Sequence, residues 1–204
     1  MTNVAVRPAF VFLREDGEGN SDAVARCALQ AVSPGPMGRT VRDEDYRSFI
    51  DAGFAVDTPS RPVYASKGTH CAIFVRCVLA CAGVKPRGTR PTVTGVTSWL
   101  GVGWFVEPEW IPVDELDAVL SGDVPYWCGF PGMTQSEWRA AYNGHVGVVL
   151  PGGEGWMHRT AEGGGPPDGS TCRMSEHAKD VRVSNARPLR GVWRPDRMTA
   201  VPAA

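Results

Sequence analysis

Residues 68–83 read Gly-Thr-His-Cys-Ala-Ile-Phe-Val-Arg-Cys-Val-Leu-Ala-Cys-Ala-Gly, and this stretch predicts an amphipathic helix with a cysteine in its first turn. Gly68 and Thr69 supply turn and cap residues before the helix, and Gly83 supplies the glycine that commonly ends one. Its apolar residues recur at spacings of three and four, as in a helix with one buried face: Cys71, Phe74, Val75, Val78, Leu79 and Ala82.

The position of Cys71 favours a nucleophilic thiol. A sulfur at a helix N-terminus lies among unpaired backbone N–H groups and near the positive end of the helix dipole, and both favour the thiolate. Downstream, Gly144-His-Val-Gly-Val-Val-Leu150 predicts a short strand that begins with His145. A helix cysteine and a strand histidine suit covalent acyl transfer, with His145 as general base and then general acid. The alternatives are an inert core cysteine and a histidine bonded to backbone.

A third group should hold the second nitrogen of the His145 imidazole and fix its tautomer. Residues 156–162, after a Gly-rich turn, predict a strand that offers His158 and Glu162. The two positions have the same parity, so strand alternation puts them on one face and does not choose between them. A carboxylate stabilises an imidazolium better than a neutral ring does. Glu162 is therefore slightly favoured, and His158 stays open.

Further side chains are candidates for lining a substrate cleft, each with a plain alternative. Tyr64 precedes the helix in a Pro-rich stretch and is either a pocket residue or an ordinary packing tyrosine. His70 adjoins the nucleophile, and it either tunes the thiol and contacts substrate or caps the helix. Trp99 and Trp104 lie in the stretch 84–113, which is predicted to be loop-like, and they form either substrate walls or hydrophobic cover for the sheet.

The composition indicates one globular domain. Apolar residues make up 43% of the 204 residues, and 24 Gly and 17 Pro predict many turns and long loops. The formal net charge is −1 and there is no basic tract, so nucleic acid is not an expected partner. No run of about 18 apolar residues occurs, so no membrane span is predicted. The N-terminal residues do not resemble a secretory signal, so synthesis in the cytoplasm is expected.

The six cysteines are interpreted as thiols rather than as a disulfide framework. An even count permits disulfides, but a chain of this length can build a core without them. A bond from Cys71 to Cys128 or Cys172 is the alternative. Cys71, Cys77 and Cys81 have the spacing C-x5-C-x3-C, which is not a zinc pattern, so neither a metal nor another cofactor is expected.

The remaining elements are predicted from turn residues and periodicity. The Gly122-Asp123 step is expected to lead into a strand that forms an antiparallel meander with the His145 strand. The other predicted elements are a strand over 9–13, a helix over 22–32 capped by Ser21, a helix over 40–52, a short helical turn over 114–120, a helix over 135–142, and strands over 181–183 and 189–193.

Taken together, these features resemble the papain-like NlpC/P60 and CHAP peptidases and amidases, families that cut peptide or amide bonds in bacterial cell walls. The similarity covers about residues 60–193, and it rests on the motifs at 68–76 and 144–150 with Gly122-Asp123 between them. The chain carries His-Cys-Ala where NlpC/P60 members usually carry Asp-Cys-Ser, and an insertion over 129–143 lengthens the gap to the histidine.

The resemblance implies an α+β papain-like, NlpC/P60-type fold in which the nucleophile helix packs on an antiparallel sheet. It implies hydrolysis of peptidoglycan stem peptide or a similar amide through a thioester, with Cys71 as nucleophile and His145 as base. For the third residue, the NlpC/P60 pattern favours His158 and the CHAP pattern favours Glu162. The resemblance implies no cofactor and no metal.

In this interpretation, residues 1–60 form a helical extension packed on the core, 61–195 form the catalytic core, and 196–204 form a frayed tail. Delivery to the cell wall would need phage lysis or contact-dependent secretion, and a monomer is the default oligomeric state. One rival function is a cysteine amidase or acyltransferase of the same fold that acts on a substrate outside the cell wall. The other rival is an inactive papain-like module that binds glycan or a partner protein.

Overall fold

A computed structural model of the chain describes residues 15–32, 70–84, 110–140, 144–163, 172–174 and 178–197. It contains helices and antiparallel strands, which confirms the general α+β class. The helices are α1 (Asn20–Val32), α2 (His70–Cys81) and α3 (Gln135–Ala140), with 3-10 turns at Val113–Glu115 and Pro195–Arg197. The strands are β1 (Trp110–Pro112), β2 (Val124–Trp127), β3 (His145–Val146), β4 (Val148–Val149), β5 (Met157–His158), β6 (Thr160–Gly163), β7 (Cys172–Met174), β8 (Lys179–Asp180), β9 (Val183–Ser184) and β10 (Arg187–Trp193).

The predicted helix with Cys71 in its first turn is confirmed as α2, which begins at His70. The apolar face is buried as its period requires, with Phe74 and Val78 fully inaccessible to solvent. Gly83 adopts a φ of 67°, and the Val84 N–H donates to a carbonyl of the last turn. This left-handed glycine ends the helix, because an L side chain is strained at that φ.

Helix α1 forms part of the same core. It begins at Asn20, two residues before the predicted start, so Ser21 lies inside the helix and does not cap it. The backbone N–H of Ser21 instead donates to Asp196 Oδ1 at 2.9 Å. Val24 and Ala28 are fully buried in the cluster that α1 shares with α2 and with strands β2, β3 and β4.

The strands form two main antiparallel sheets. The first has the order β1-β10-β2-β3, and the second has the order β4-β6-β7; β9 pairs with β10, and β5 pairs with β8. Trp127 pairs with His145 between β2 and β3, which confirms the predicted meander. The strand predicted over 144–150 is wrong as a single element, because it is divided at Gly147 into β3 in the first sheet and β4 in the second. The strand predicted over 189–193 forms as β10 and lies between β1 and β2. Alternation along β2 points Tyr126 into the helix-side cluster and Trp127 into a second cluster on the other face.

The Gly122-Asp123 step anchors the start of β2. Gly122 has a φ of 86°, and the Ser21 carbonyl lies where a side chain would begin, so only glycine fits there. The Asp123 side chain is fully buried. Its Oδ1 accepts a hydrogen bond from Arg194 Nε at 2.8 Å, and its Oδ2 accepts one from Arg194 Nη2 at 2.7 Å. The step therefore fixes β2 to α1 and to the end of β10.

The strand predicted over 156–162 is wrong as a single element. It is divided at Arg159 into β5, which pairs with β8, and β6, which pairs with β4 and β7. The Arg159 carbonyl still accepts from the Leu150 N–H beside β4, whereas Met157 exchanges two backbone hydrogen bonds with Glu154 across the Gly-rich turn and β5 pairs with β8. His158 and Glu162 therefore do not lie on one continuous strand.

Other element predictions need smaller corrections. The loop predicted over 84–113 ends early, because residues from Trp110 to Pro112 pair with β10. The strand predicted over 181–183 begins too early, since Val181 lies in a turn that separates β8 from β9, and Val183 is the first residue of β9. The helical turn predicted over 114–120 is limited to Val113–Glu115, and α3 is described as far as Ala140.

The tail does not fray at residue 196 as predicted. Pro195–Arg197 forms a 3-10 turn against α1, and the Pro195 carbonyl accepts a hydrogen bond from Asn20 Nδ2 at 3.1 Å. Three predicted features lie outside the described residues: the strand over 9–13, the helix over 40–52 and the tail over 198–204. The predicted division of the chain at residue 60 stays a prediction. None of the helices in the described ranges is long and apolar enough to cross a membrane.

Candidate active site

The structure brings Cys71 and His145 together. Cys71 is a free, half-buried thiol in the first turn of α2, and His145 begins β3 at the edge of the first sheet. Cys71 lies close enough to His145 to raise the pKa of its imidazole. Because His145 Nε2 faces Glu162, Nδ1 is the ring nitrogen left for the thiol. A helix and a sheet edge thus supply the two groups that the sequence pairs as nucleophile and base.

Glu162 holds the far side of the imidazole. Its Oε2 lies 2.7 Å from His145 Nε2, and a carboxylate only accepts, so Nε2 carries the proton. Burial alone would lower the pKa of His145, but the hydrogen bonds and negative charges of Cys71 and Glu162 outweigh it and raise that pKa to about 9. His145 is therefore an imidazolium at neutral pH.

The Glu162 carboxylate is enclosed and fully engaged. Its side chain is 13% exposed, and Oε1 accepts hydrogen bonds from Lys179 Nζ and from Thr160 Oγ1, both at 2.5 Å. Burial would raise the pKa of Glu162, yet its contacts with His145 and Lys179 lower that pKa to about 2. Glu162 is thus an anion at neutral pH, and its Oε2 is hydrogen-bonded to His145.

Gly147 lets Glu162 approach the strand that carries His145. It lies between β3 and β4, where the chain leaves the first sheet and enters the second. A Cβ on Gly147 would lie 2.8 Å from Glu162 Cγ and 3.0 Å from the Ala161 carbonyl oxygen. Any other residue here would push against the carboxylate side chain, so Gly147 is a requirement of the site's geometry.

Trp127 covers one face of the imidazole. The two rings are stacked with centroids 5.6 Å apart and an interplanar angle of 27°. The indole is fixed in turn, because its Nε1–H donates to the Val181 carbonyl at 2.6 Å. Lys179 Nζ lies 5.2 Å from the Trp127 ring centroid, so the same indole faces two cationic groups when His145 is protonated.

Tyr126 and the 129–143 insertion adjoin the site on its helix side. Burial raises the pKa of Tyr126, with a smaller contribution from neighbouring Cys128. Tyr126 belongs to the buried cluster against which Cys71 packs. The insertion folds back onto this ring, because Trp138 packs on Tyr126 at 5.8 Å and accepts the Cys128 S–H at its carbonyl. Cys71 and Cys128 are both free, so no bond joins them.

His158, the other candidate for the third group, lies elsewhere. Its side chain is 4% exposed on β5, opposite Lys179 in the pairing, and Gly153 packs against its ring. Within the described ranges neither ring nitrogen of His158 has a hydrogen-bond partner. The geometry thus puts Glu162, and not His158, beside His145.

Of the four predicted cleft residues, only His70 lies in the part of the chain that the structure describes. His70 opens α2, although its side chain is not described, and Tyr64, Trp99 and Trp104 lie outside the described residues. The residues that the sequence analysis did not single out are Thr160, Trp127, Gly147 and Lys179.

Some of these residues carried a usable sequence signal. Thr160 lies two residues before Glu162 and so shares its strand face, and Trp127 lies opposite His145 once the meander is accepted. Lys179 had no such signal, because it reaches the site through β8, which the sequence did not predict.

No protein-family model, curated protein or solved structure matches the chain. Among the described residues, no group of three His, Cys, Asp or Glu side chains is arranged to hold a metal ion.

Proposed function

We propose that the chain is a cysteine hydrolase that cleaves an amide or peptide bond, with Cys71 as nucleophile, His145 as general base and acid, and Glu162 as the group that orients the imidazole. The observation that carries this proposal is the position of His145 between Cys71, which raises the pKa of its imidazole, and Glu162, whose Oε2 lies 2.7 Å from Nε2. Nucleophile, base and orienting carboxylate stand in the order that this chemistry needs.

The charge distribution supports a reactive thiol. The Glu162 carboxylate, 2.7 Å from His145 Nε2, favours the charged form of the imidazole, and a positive charge beside sulfur favours the thiolate. Cys71 also lies in the first turn of a helix of 12 residues, where the helix dipole adds a second favourable field. Both effects act on the same atom.

The reaction would proceed in two steps. The Cys71 thiolate attacks the carbonyl carbon, an S–C bond forms, and the C–N bond then breaks as the amine leaves with the proton of the His145 imidazolium. Water next attacks the thioester while neutral His145 takes one of its protons. The S–C bond breaks, the acid is released, and the thiolate–imidazolium pair returns. The Cys71 backbone N–H is one candidate donor to the oxyanion.

The papain-like fold and the cell-wall substrate belong to the same proposal. Packing of α2 near β3 and β6 supports a cleft between the nucleophile helix and the sheet. Peptidoglycan stem peptide is the substrate class that the resemblance to NlpC/P60 and CHAP enzymes implies. Nothing in the proposed steps requires a metal or an organic cofactor.

A thiol-reactivity measurement tests the nucleophile. Alkylation of Cys71 by iodoacetamide, followed across pH by peptide mass spectrometry, should persist well below the range of an ordinary thiol, whose pKa is about 8.5. The buried thiols Cys27 and Cys128 serve as internal controls in the same digest. An ordinary rate and an ordinary pH profile at Cys71 would leave the binding module as the better proposal.

Digestion of purified peptidoglycan tests the substrate. The wild-type chain should release muropeptides that mass spectrometry identifies, and Cys71→Ala should release none. If the thiol is fast but no fragment appears with either chain, the hydrolase proposal stands with a substrate outside the cell wall.

A further inference from the structure

We propose that Lys179 is a positioning residue of this site, which holds the Glu162 carboxylate so that Oε2 faces His145. The inference rests on the proposed function and extends it to a residue that contacts neither the thiol nor the imidazole. It concerns how the orienting carboxylate is itself oriented, which the Cys71–His145–Glu162 series leaves open.

The two oxygens of Glu162 have different partners. Oε1 accepts from Lys179 Nζ and Thr160 Oγ1 at 2.5 Å each, and Oε2 lies 2.7 Å from His145 Nε2. A hydrogen bond to a charged group is roughly twice as strong as a neutral one. Lys179 therefore fixes which oxygen is left for His145 and where that oxygen lies.

Because Glu162 is buried, its carboxylate needs Lys179 to stay charged as well as to keep its orientation. The Glu162 side chain is 13% exposed, and a buried carboxylate needs a compensating cation to stay charged. His145 gives up its positive charge during the proposed reaction, so it cannot serve as that cation throughout. Lys179 takes no part in the proposed proton transfers, so its contact with Glu162 remains when His145 is neutral.

A second set of contacts links the same segment to the imidazole. Lys179 Nζ lies 5.2 Å from the Trp127 ring centroid, and that ring is stacked on His145. Two residues further along, the Val181 carbonyl accepts the Trp127 Nε1–H. Residues 179–181 thus restrain the imidazole from two sides, through the carboxylate on its edge and through the indole on its face.

Arg182 provides a matched control on the same segment. Its guanidinium pairs with Asp180, and the two side chains are 58% and 40% exposed. Arg182→Met removes one positive charge three residues from Lys179 without touching Glu162. The comparison of Lys179→Met with Arg182→Met therefore separates positioning of Glu162 from a general loss of surface charge.

The test measures Cys71 alkylation across pH in the full chain and in these variants, with circular dichroism as the check of folding. Lys179→Met should alkylate about tenfold more slowly at pH 7, the change that loss of one hydrogen bond to a charged group corresponds to. As the pH is lowered, the alkylation rate of Lys179→Met should begin to fall at a higher pH than that of the wild type, because Glu162 is protonated more easily without the lysine. Lys179→Arg should restore both properties, and Arg182→Met should match the wild type. If Lys179→Met does not fold, Lys179→Gln takes its place with the same expected loss.

The outcomes separate this inference from the proposed function. Suppose that Cys71 alkylates rapidly in the wild type and slowly in Glu162→Gln, while Lys179→Met keeps the wild-type rate and pH profile. The positioning role of Lys179 is then wrong, and the hydrolase proposal stands. If the wild type and Glu162→Gln both react like an ordinary thiol, the proposed function has failed before Lys179 is considered. An equal loss in Arg182→Met also overturns the inference, because the effect would then be one of surface charge.

Discussion

Gly147→Ala should disable the site while leaving the fold in place. The added methyl group would lie 2.8 Å from Glu162 Cγ and 3.0 Å from the Ala161 carbonyl oxygen. Carbon atoms in ordinary contact stay about 3.5–4.0 Å apart, so the glutamate side chain must move by roughly 0.7 Å or more. The Ala161 carbonyl belongs to paired strand β6, so the more mobile partner is the side chain.

That displacement is large compared with the bond it affects. The Glu162 Oε2 to His145 Nε2 distance is 2.7 Å, and adding about 0.7 Å exceeds the useful range of an N–H···O hydrogen bond, which ends near 3.2 Å. His145 would then lose its orienting partner. Misplacement of a reacting group by about 1 Å can reduce rate on the order of 100-fold, and we expect a loss of that order in Cys71 alkylation at pH 7.

The assay compares alkylation rates and urea unfolding of the wild type, Gly147→Ala and Gly19→Ala. A Cβ at Gly19 would meet only Asp196 and Asp22 at 3.5 Å, an ordinary contact, so this control adds the same methyl group without displacing anything. A folded Gly147→Ala chain with the wild-type alkylation rate and pH profile would refute the argument. It would mean that Glu162 either moves without cost or does not matter to the thiol.

Two further predictions concern stability. Arg194→Met should lower the free energy of unfolding in urea by about 3–5 kcal/mol, because it leaves the fully buried Asp123 carboxylate without its cation. Arg182→Met breaks a pair that is exposed to solvent and should cost far less, and equal losses in the two variants would contradict this reasoning. The pKa of Glu162 is lowered from 4.5 to about 2, so its contribution is present above the unfolded value and lost as pH falls through the folded one. The stability advantage of the wild type over Glu162→Gln should therefore shrink by on the order of 3 kcal/mol between pH 5 and pH 2, and a pH-independent difference in urea unfolding would rule this out.

The local parts of this structure follow from sequence because short-range physics determines them. The α2 helix is specified by its apolar period and by Gly83, and the meander of β2 and β3 by turn residues and alternation. Cys71 and His145 could be singled out for the same reason. Each occupies the end of an element whose existence is encoded within about ten residues of it.

The non-local parts do not follow in this way. The division of 156–162 at Arg159 depends on which strands lie on either side, since β5 finds β8 and β6 finds β4 and β7. Strand alternation alone therefore places His158 and Glu162 on one face and does not decide which of them orients His145. The position of β10 between β1 and β2 likewise depends on long-range pairing that no local pattern encodes.

The broken strands explain how the site is assembled. His145 belongs to the first sheet, Glu162 to the second and Lys179 to the β5–β8 pair, and α2 adds Cys71 from the helix layer. Gly147 is the point at which the chain passes from the first sheet to the second, and a side chain there would collide with Glu162. The absence of a side chain at residue 147 thus permits the approach of the carboxylate. The chain changes sheet between β3 and β4, so His145 and Glu162 belong to different sheets, and the space left beside Gly147 is what lets the Glu162 carboxylate reach the imidazole at 2.7 Å.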